Sequence, residues 1–198
     1  MMSRRVFILG ALAATLAGRS RPTHAQVEDL DKLFALFTSQ GERRTAFVER
    51  RHSVLFRNPP ETRGTLHFKP PTLLEREVTS PRRERVRIEG ENVTLWTEDE
   101  NGKVVERKAS LATIPQLANL VLTIRSTLAG DLATLRKMFR VTLQAPLPKW
   151  RVELTPIDEP VANAVSMITM SGDRGEVERI QFTETSGDRT ELLLSPAR

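Results

Sequence analysis

Residues Gly64 to Trp96 read GTLHFKPPTLLEREVTSPRRERVRIEGENVTLW, and the way apolar and charged side chains take turns along this stretch decides the fold class. Leu66 and Phe68 fall on one face of a strand, as do Leu74 and Val78, Val86 and Ile88, and Val93 and Leu95, with Arg, Glu, Thr and Lys largely opposite. A period of two with one apolar and one charged side describes an antiparallel sheet that is solvated on one face and covered on the other. The charges are therefore expected outside, and Leu, Val and Ile inside.

Working outward, further alternating segments are predicted at 44–57, 62–69, 72–79, 83–89, 92–98 and 103–109. Asn58-Pro59-Pro60, Pro70-Pro71, Glu89-Gly90 and Asn101-Gly102 punctuate them, the last a strong two-residue hairpin signal. The period then changes. In IPQLANLVLTIRSTLAGDLATLRKMF, Leu117, Val121, Ile124 and Leu128 form one helical stripe, and Gly130-Asp131 ends that helix and caps a second with Leu132, Leu135 and Phe139. Strands resume at 139–145, 149–155, 164–171, 176–184 and 188–194. Ahead of the sheet, Val27, Leu30, Leu33, Phe34 and Phe37 mark an amphipathic helix over 26–40, stopped near Gly41. A strand-and-helix alternation throughout would mean a doubly wound fold, and it is missing. The reading is a mainly β, α+β domain: a curled, incomplete antiparallel β-barrel of about eleven strands covered by helices, since open sheets of about that size curl or split.

The first residues, MMSRRVFILGALAATLAGRSRPTHAQ, combine a basic start, an apolar run from Val6 to Ala17 and a small-residue exit at Ala25. They predict a signal peptide over 1–25, a single exported domain over 26–198 and a periplasmic location, with Arg4-Arg5 leaving the general and twin-arginine routes both open. There is no cysteine, which excludes disulfides, thiolate chemistry and a lipidated cysteine. Four arginines lie in the leader, leaving 26 basic against 25 acidic residues, a balance that gives no reason to expect a nucleic-acid partner.

No residue pattern points to catalysis. His52 and His67 have no carboxylates at metal-ligand spacing, and Ser53, Ser80 and Ser110 lie in no nucleophile-elbow context. Glu75 and Glu77 share a strand face and read as solvated, as does the run Arg82 to Arg87 with its interleaved Glu84. No enzyme, metal or cofactor is expected. What the pattern does offer is an inner face of aliphatic residues, with no Tyr and two Trp in the whole chain. Such a face either fills with its own helices or leaves a cleft for an apolar guest. The sheet candidates for lining a cleft are Leu66, Phe68, Leu74, Val78, Val86, Ile88 and Leu95. The helical candidates are Leu117, Val121, Ile124 and Leu128, and the polar-partner candidates are Arg50, Arg51 and Lys69. Arg50 and Arg51 must point to opposite faces of a regular strand, so that one of them can face the cleft.

The order of leader, helix LFALFTSQ, the stretch from Gly64 and the mid-chain helical insert resembles the periplasmic outer-membrane lipoprotein carriers, the LolA-like proteins, in a divergent branch. Gly64, Leu66, Lys69, Pro71 and Leu74 fall where that family has G-x-L-x-x-K-x-P-x-x-F. Pro81 matches the proline ending the next strand, and Gly90, Leu95 and Trp96 match its G-x-x-L-W. The resemblance implies a helical lid over an acyl-chain cavity. It implies a non-enzymatic carrier of acylated lipoprotein, or of another lipid or glycolipid, between an inner-membrane donor and an outer-membrane acceptor, working as a monomer with at most transient membrane contact. The alternative is a ligand-sensing envelope protein of the same fold that regulates a protein partner. Two departures stand out: Pro70 occupies the place of the arginine that ties the family's lid, and an aromatic residue is missing near Arg76.

Overall fold

A computed structural model describes residues 24–53, 58–157 and 159–196, with the side chains of 24–26, 115–117 and 160 outside that description. Residues 1–23 of the proposed leader (1–25) and the end of the first predicted strand, 54–57, lie outside it as well, while the leader's last two residues open the first helix.

Helix α1 (His24–Ser39) is followed by six strands in a meander, β1 (Arg43–His52), β2 (Glu61–Lys69), β3 (Leu73–Ser80), β4 (Glu84–Glu89), β5 (Asn92–Glu98) and β6 (Val104–Ser110). One 3-10 turn (Leu111–Thr113) leads into α2 (Pro115–Leu128) and α3 (Leu132–Met138). A second meander then runs through β7 (Phe139–Ala145), β8 (Lys149–Pro156), β9 (Val165–Asp173), β10 (Glu176–Glu184) and β11 (Arg189–Pro196), with the single-turn α4 (Glu159–Ala162) between β8 and β9. The eleven strands form one antiparallel sheet in the order β6-β5-β4-β3-β2-β1-β11-β10-β9-β8-β7. The first strand thus joins the two meanders at the centre, pairing Thr45 with Leu66 on one side and Phe47 with Leu194 on the other. Edge strands β6 and β7 do not pair, so the sheet curls without closing into a barrel.

The local signals explain the elements. Pro115 opens α2 at its first position, where its missing N–H costs nothing. The Asp131 carboxylate accepts from the Thr134 N–H at 2.9 Å and caps α3. Gly130, at φ 73°, turns the chain between the two helices beside Thr38 of α1, where a side chain would also collide with the Phe34 carbonyl.

The concave face is filled unevenly. Leu30, Leu33, Phe34 and Phe37 of α1 pack with Leu135 and Met138 of α3 onto Trp150, Val152, Leu154, Ile168 and Met170, making a core over the second meander. Phe37 meets Phe34 and Trp150 edge to face, both at 5.3 Å. A smaller cluster joins Val121 of α2 and Leu111 to Ile88 and Val93. Between these two cores, under α2, the concave face is left open.

Candidate functional site

The open space is a cavity of about 490 Å³ walled mainly by aliphatic side chains, a size typical of ligand sites. Its floor comes from the central strands, with Leu66 and Phe68 on β2, Ile180 and Phe182 on β10, and Leu192 and Leu194 on β11. Register partners share a face of the sheet, which sets Thr45 beside Leu66, Leu192 and Met170 beside Ile180, and Ile168 beside Phe182 on this side. Its roof is α2, through Leu120, Val121, Thr123, Ile124, Thr127 and Leu128.

Of the residues nominated from sequence, Leu66, Phe68, Leu74, Val86, Ile88, Val121, Ile124 and Leu128 line this space together. Val78 does not. It is buried on the same strand face as Leu74, but Arg76 stands between them, and Val78 borders a separate depression of about 440 Å³ near Trp96 and Val104. Leu95 is half-buried opposite Val86 and Arg107, one strand from the β6 edge and away from the cavity. Leu117 belongs to α2, but its side chain is outside the described residues.

The polar candidates are placed elsewhere. Arg50 pairs with Glu61 at 3.0 Å on the outer face. Arg51 shares the inner face with Glu49 but is held by Glu184 at 3.3 Å and Asp188 at 3.7 Å, outside the cavity wall. Lys69 lies 3.7 Å from Glu42 at the end of β2, where Glu42 also contacts His67 at 2.7 Å. His67 is buried, and its bond to Glu42 is the first cause holding the Glu42 carboxyl below the usual range. Glu75 is buried rather than solvated, bound to Arg85 at 2.8 Å. Among the described residues no group of His, Asp or Glu is arranged to hold a metal.

The expectation that charge is confined to the outer face needs correction. Arg43, Glu49, Arg76, Glu176 and Glu184 all contribute to the cavity wall. Arg76 donates to Glu49 at 3.0 Å and to Glu84 at 3.5 Å and lies 4.9 Å from the Phe47 ring. Arg43 is different: its Nη2 donates to the carbonyls of Phe37 (2.9 Å) and Leu128 (2.7 Å), tying β1 to the ends of α1 and α2, and among the described residues no carboxylate lies within ion-pair distance. Burial pushes its pKa down. The period of two contained this signal, since Arg43 and Glu49 share the parity of the inward Phe47, and Arg76 that of the inward Leu74 and Val78.

A second arginine tethers the lid. Arg125 in the last turn of α2 donates to the carbonyls of Gly90 (3.1 Å), Ile88 (3.3 Å) and Thr72, reaching the turns that end β2 and β4. Pro70 stands in the first of these turns, so the lid is tied to that turn by an arginine of the helix.

A curated outer-membrane lipoprotein carrier protein from Pseudomonas putida (strain W619) is 24% identical over 188 residues, 94% of this chain and 82% of that protein. Among solved structures, a LolA superfamily protein from Nitrosomonas europaea superposes at a TM-score of 0.42 and 14% identity, covering 87% of this chain and 93% of its own. LprF from Mycobacterium bovis does so at 0.43 and 12%, covering 89% and 94%. The model of the family described as outer membrane lipoprotein carrier protein LolA-like matches residues 22–198, sheet and lid together, and this chain belongs to that family.

Proposed function

We propose that the protein is a non-enzymatic carrier that takes the acyl chains of a lipoprotein or another lipid into the cavity under α2 and delivers them toward the outer membrane. One observation carries the reading: an aliphatic cavity of about 490 Å³ lies between two packed cores and is roofed by a helix tied down by arginine-to-carbonyl bonds. Each methylene moved from water into such a wall gains about 0.8 kcal/mol, so a few buried carbons suffice for retention. Leu66, Phe68, Leu74, Val86 and Ile88 on the sheet and Val121, Ile124 and Leu128 on the lid would contact the chain. Loading requires α2 to lift, which exchanges a small contact with Ile88, Val93 and Leu111 for a contact with cargo.

Under this reading the protein works in the periplasm, receiving cargo from an inner-membrane donor and passing it to an acceptor with a larger apolar site. Native mass spectrometry of protein isolated gently from the periplasm tests it. A discrete added mass that organic extraction identifies as an acylated molecule is the expected result. A clean unliganded mass that stays unchanged when a diacylated lipopeptide is added would overturn it.

A further inference from the structure

Arg43 is a poor fit to an apolar cavity wall unless something compensates its charge. Its guanidinium lies 5.8 Å from the face of Phe68, a residue of the cavity floor. Nη2 is occupied by two carbonyls, Nε is buried with no hydrogen-bond partner, and Nη1 has none among the described residues. Carbonyl oxygens satisfy N–H groups but carry no net charge, so the positive charge stays unneutralised in a partly desolvated place. Glu176, whose charge acts on Arg43, is exposed at the cavity wall and beyond ion-pair distance. The other wall arginine, Arg76, already has two carboxylates.

From this imbalance we infer that the cargo is an anionic amphiphile, whose acyl chain lies over Phe68 and Ile180 and whose carboxylate or phosphate is received by Arg43. The inference rests on the carrier reading and narrows its substrate class. A guanidinium with unused N–H groups beside an aliphatic floor is the complement of a molecule with an acid at one end and a hydrocarbon at the other. The acid also sits at the joint where β1, α1 and α2 meet. An anion there competes with the carbonyls of Phe37 and Leu128 for the same guanidinium, so the headgroup loosens the lid's own tie as the chain enters.

The test compares four probes of one chain length on delipidated full-length protein, each below its micelle concentration: dodecanoate, dodecyl phosphate, dodecanol and dodecyltrimethylammonium. Affinity is read by displacement of a neutral polarity-sensitive dye. Both anions should bind about tenfold more tightly than the alcohol, equivalent to ~1.4 kcal/mol, and the cation most weakly. In Arg43→Gln the anion-to-alcohol ratio should fall to about one, and Arg43→Lys should restore part of it, whereas Arg50→Gln on the outer face should leave it unchanged. A ratio is read because lid loosening shifts all four affinities alike. A lead for dodecanoate points to a free fatty acid and a lead for dodecyl phosphate to a phosphorylated lipid, and either supports the inference. Equal binding of anions and alcohol by the wild type overturns it and leaves the carrier reading standing. An anion preference that survives Arg43→Gln overturns the assignment to Arg43, and failure of all four probes to bind overturns both readings. Should Arg43→Gln not fold, the wild-type ranking and the Arg43→Lys variant still decide.

Discussion

Replacing Arg125 by Met keeps the length of the side chain and removes the charge that holds the far end of α2. Three bonds leave one guanidinium, to Gly90, Ile88 and Thr72, but they share one charge and are replaced by water when the lid lifts. Counting them as a single charge-assisted bond gives about 2 kcal/mol. The last-turn position, where a cation also offsets the helix dipole, is included in that figure rather than added to it. An energy of about 2 kcal/mol corresponds to a lid that opens about 30-fold more often. Hydrogen–deuterium exchange is the assay, because it reports opening amide by amide. The amides of Val121 to Leu128 should lose about 30-fold in protection while those of β1 and β11 keep theirs, since the sheet ladders do not depend on Arg125. Protection of α2 altered by less than about threefold would refute the reasoning that the carbonyl bonds hold the lid. An equal loss across the central strands would show that Arg125 supports the whole domain instead.

Ile180→Trp, placed on the cavity floor, should cut dodecanol binding by at least about tenfold with little change in melting temperature, because the added ring occupies open space. Unchanged binding would show that the probe sits elsewhere. Gly64→Ala should cost about 3 kcal/mol in urea unfolding, because its Cβ would collide with the Glu77 carbonyl and come within 2.9 Å of Phe47. A cost below ~1 kcal/mol would mean that β2 and β3 separate there without penalty. Asp131→Ala should cost about 1 kcal/mol at neutral pH. Hydrogen bonds from Thr134 hold the Asp131 carboxyl below its ordinary range, so the cap's advantage is complete above the unfolded value of about 3.9 and is lost as pH falls through the folded value. The gap between wild type and variant should therefore narrow in strong acid, and a gap independent of pH would refute the cap.

Strand periods and turn residues made the sheet readable from sequence. Leu66, Phe68, Val86 and Ile88 alternate without interruption, and Gly90 and Gly102 mark turns where the observed strands begin and end within a residue or two of expectation. Alternation does not say which strands of a curved sheet lie under which helix. Val78 and Leu95 have the right parity and the wrong place, and that difference depends on where α2 crosses the sheet. Charged residues inside were legible in principle, because Arg76 occupies an inward position in its own strand. Charge opposes parity there, and the ion pairs of Arg76 with Glu49 and Glu84 reconcile the two. Arg43 and Arg125 bind backbone carbonyls, whose positions follow from the fold alone, so no pairing of sequence charges points to them.

Both margins of the sheet run straight into the helical crossover: β6 ends at Ser110 where the 3-10 turn begins at Leu111, and α3 ends at Met138 where β7 begins at Phe139. The bore of a closed barrel is fixed by strand number and stagger, and altering it means tearing a ladder. Here the sheet is a cuff with a slit, able to widen by a change of twist with every ladder intact. The helices span the slit with little slack in the chain at either side. Any guest thick enough to spread the cuff pulls on the strap across it, so girth inside and tension in the lid are one mechanical variable.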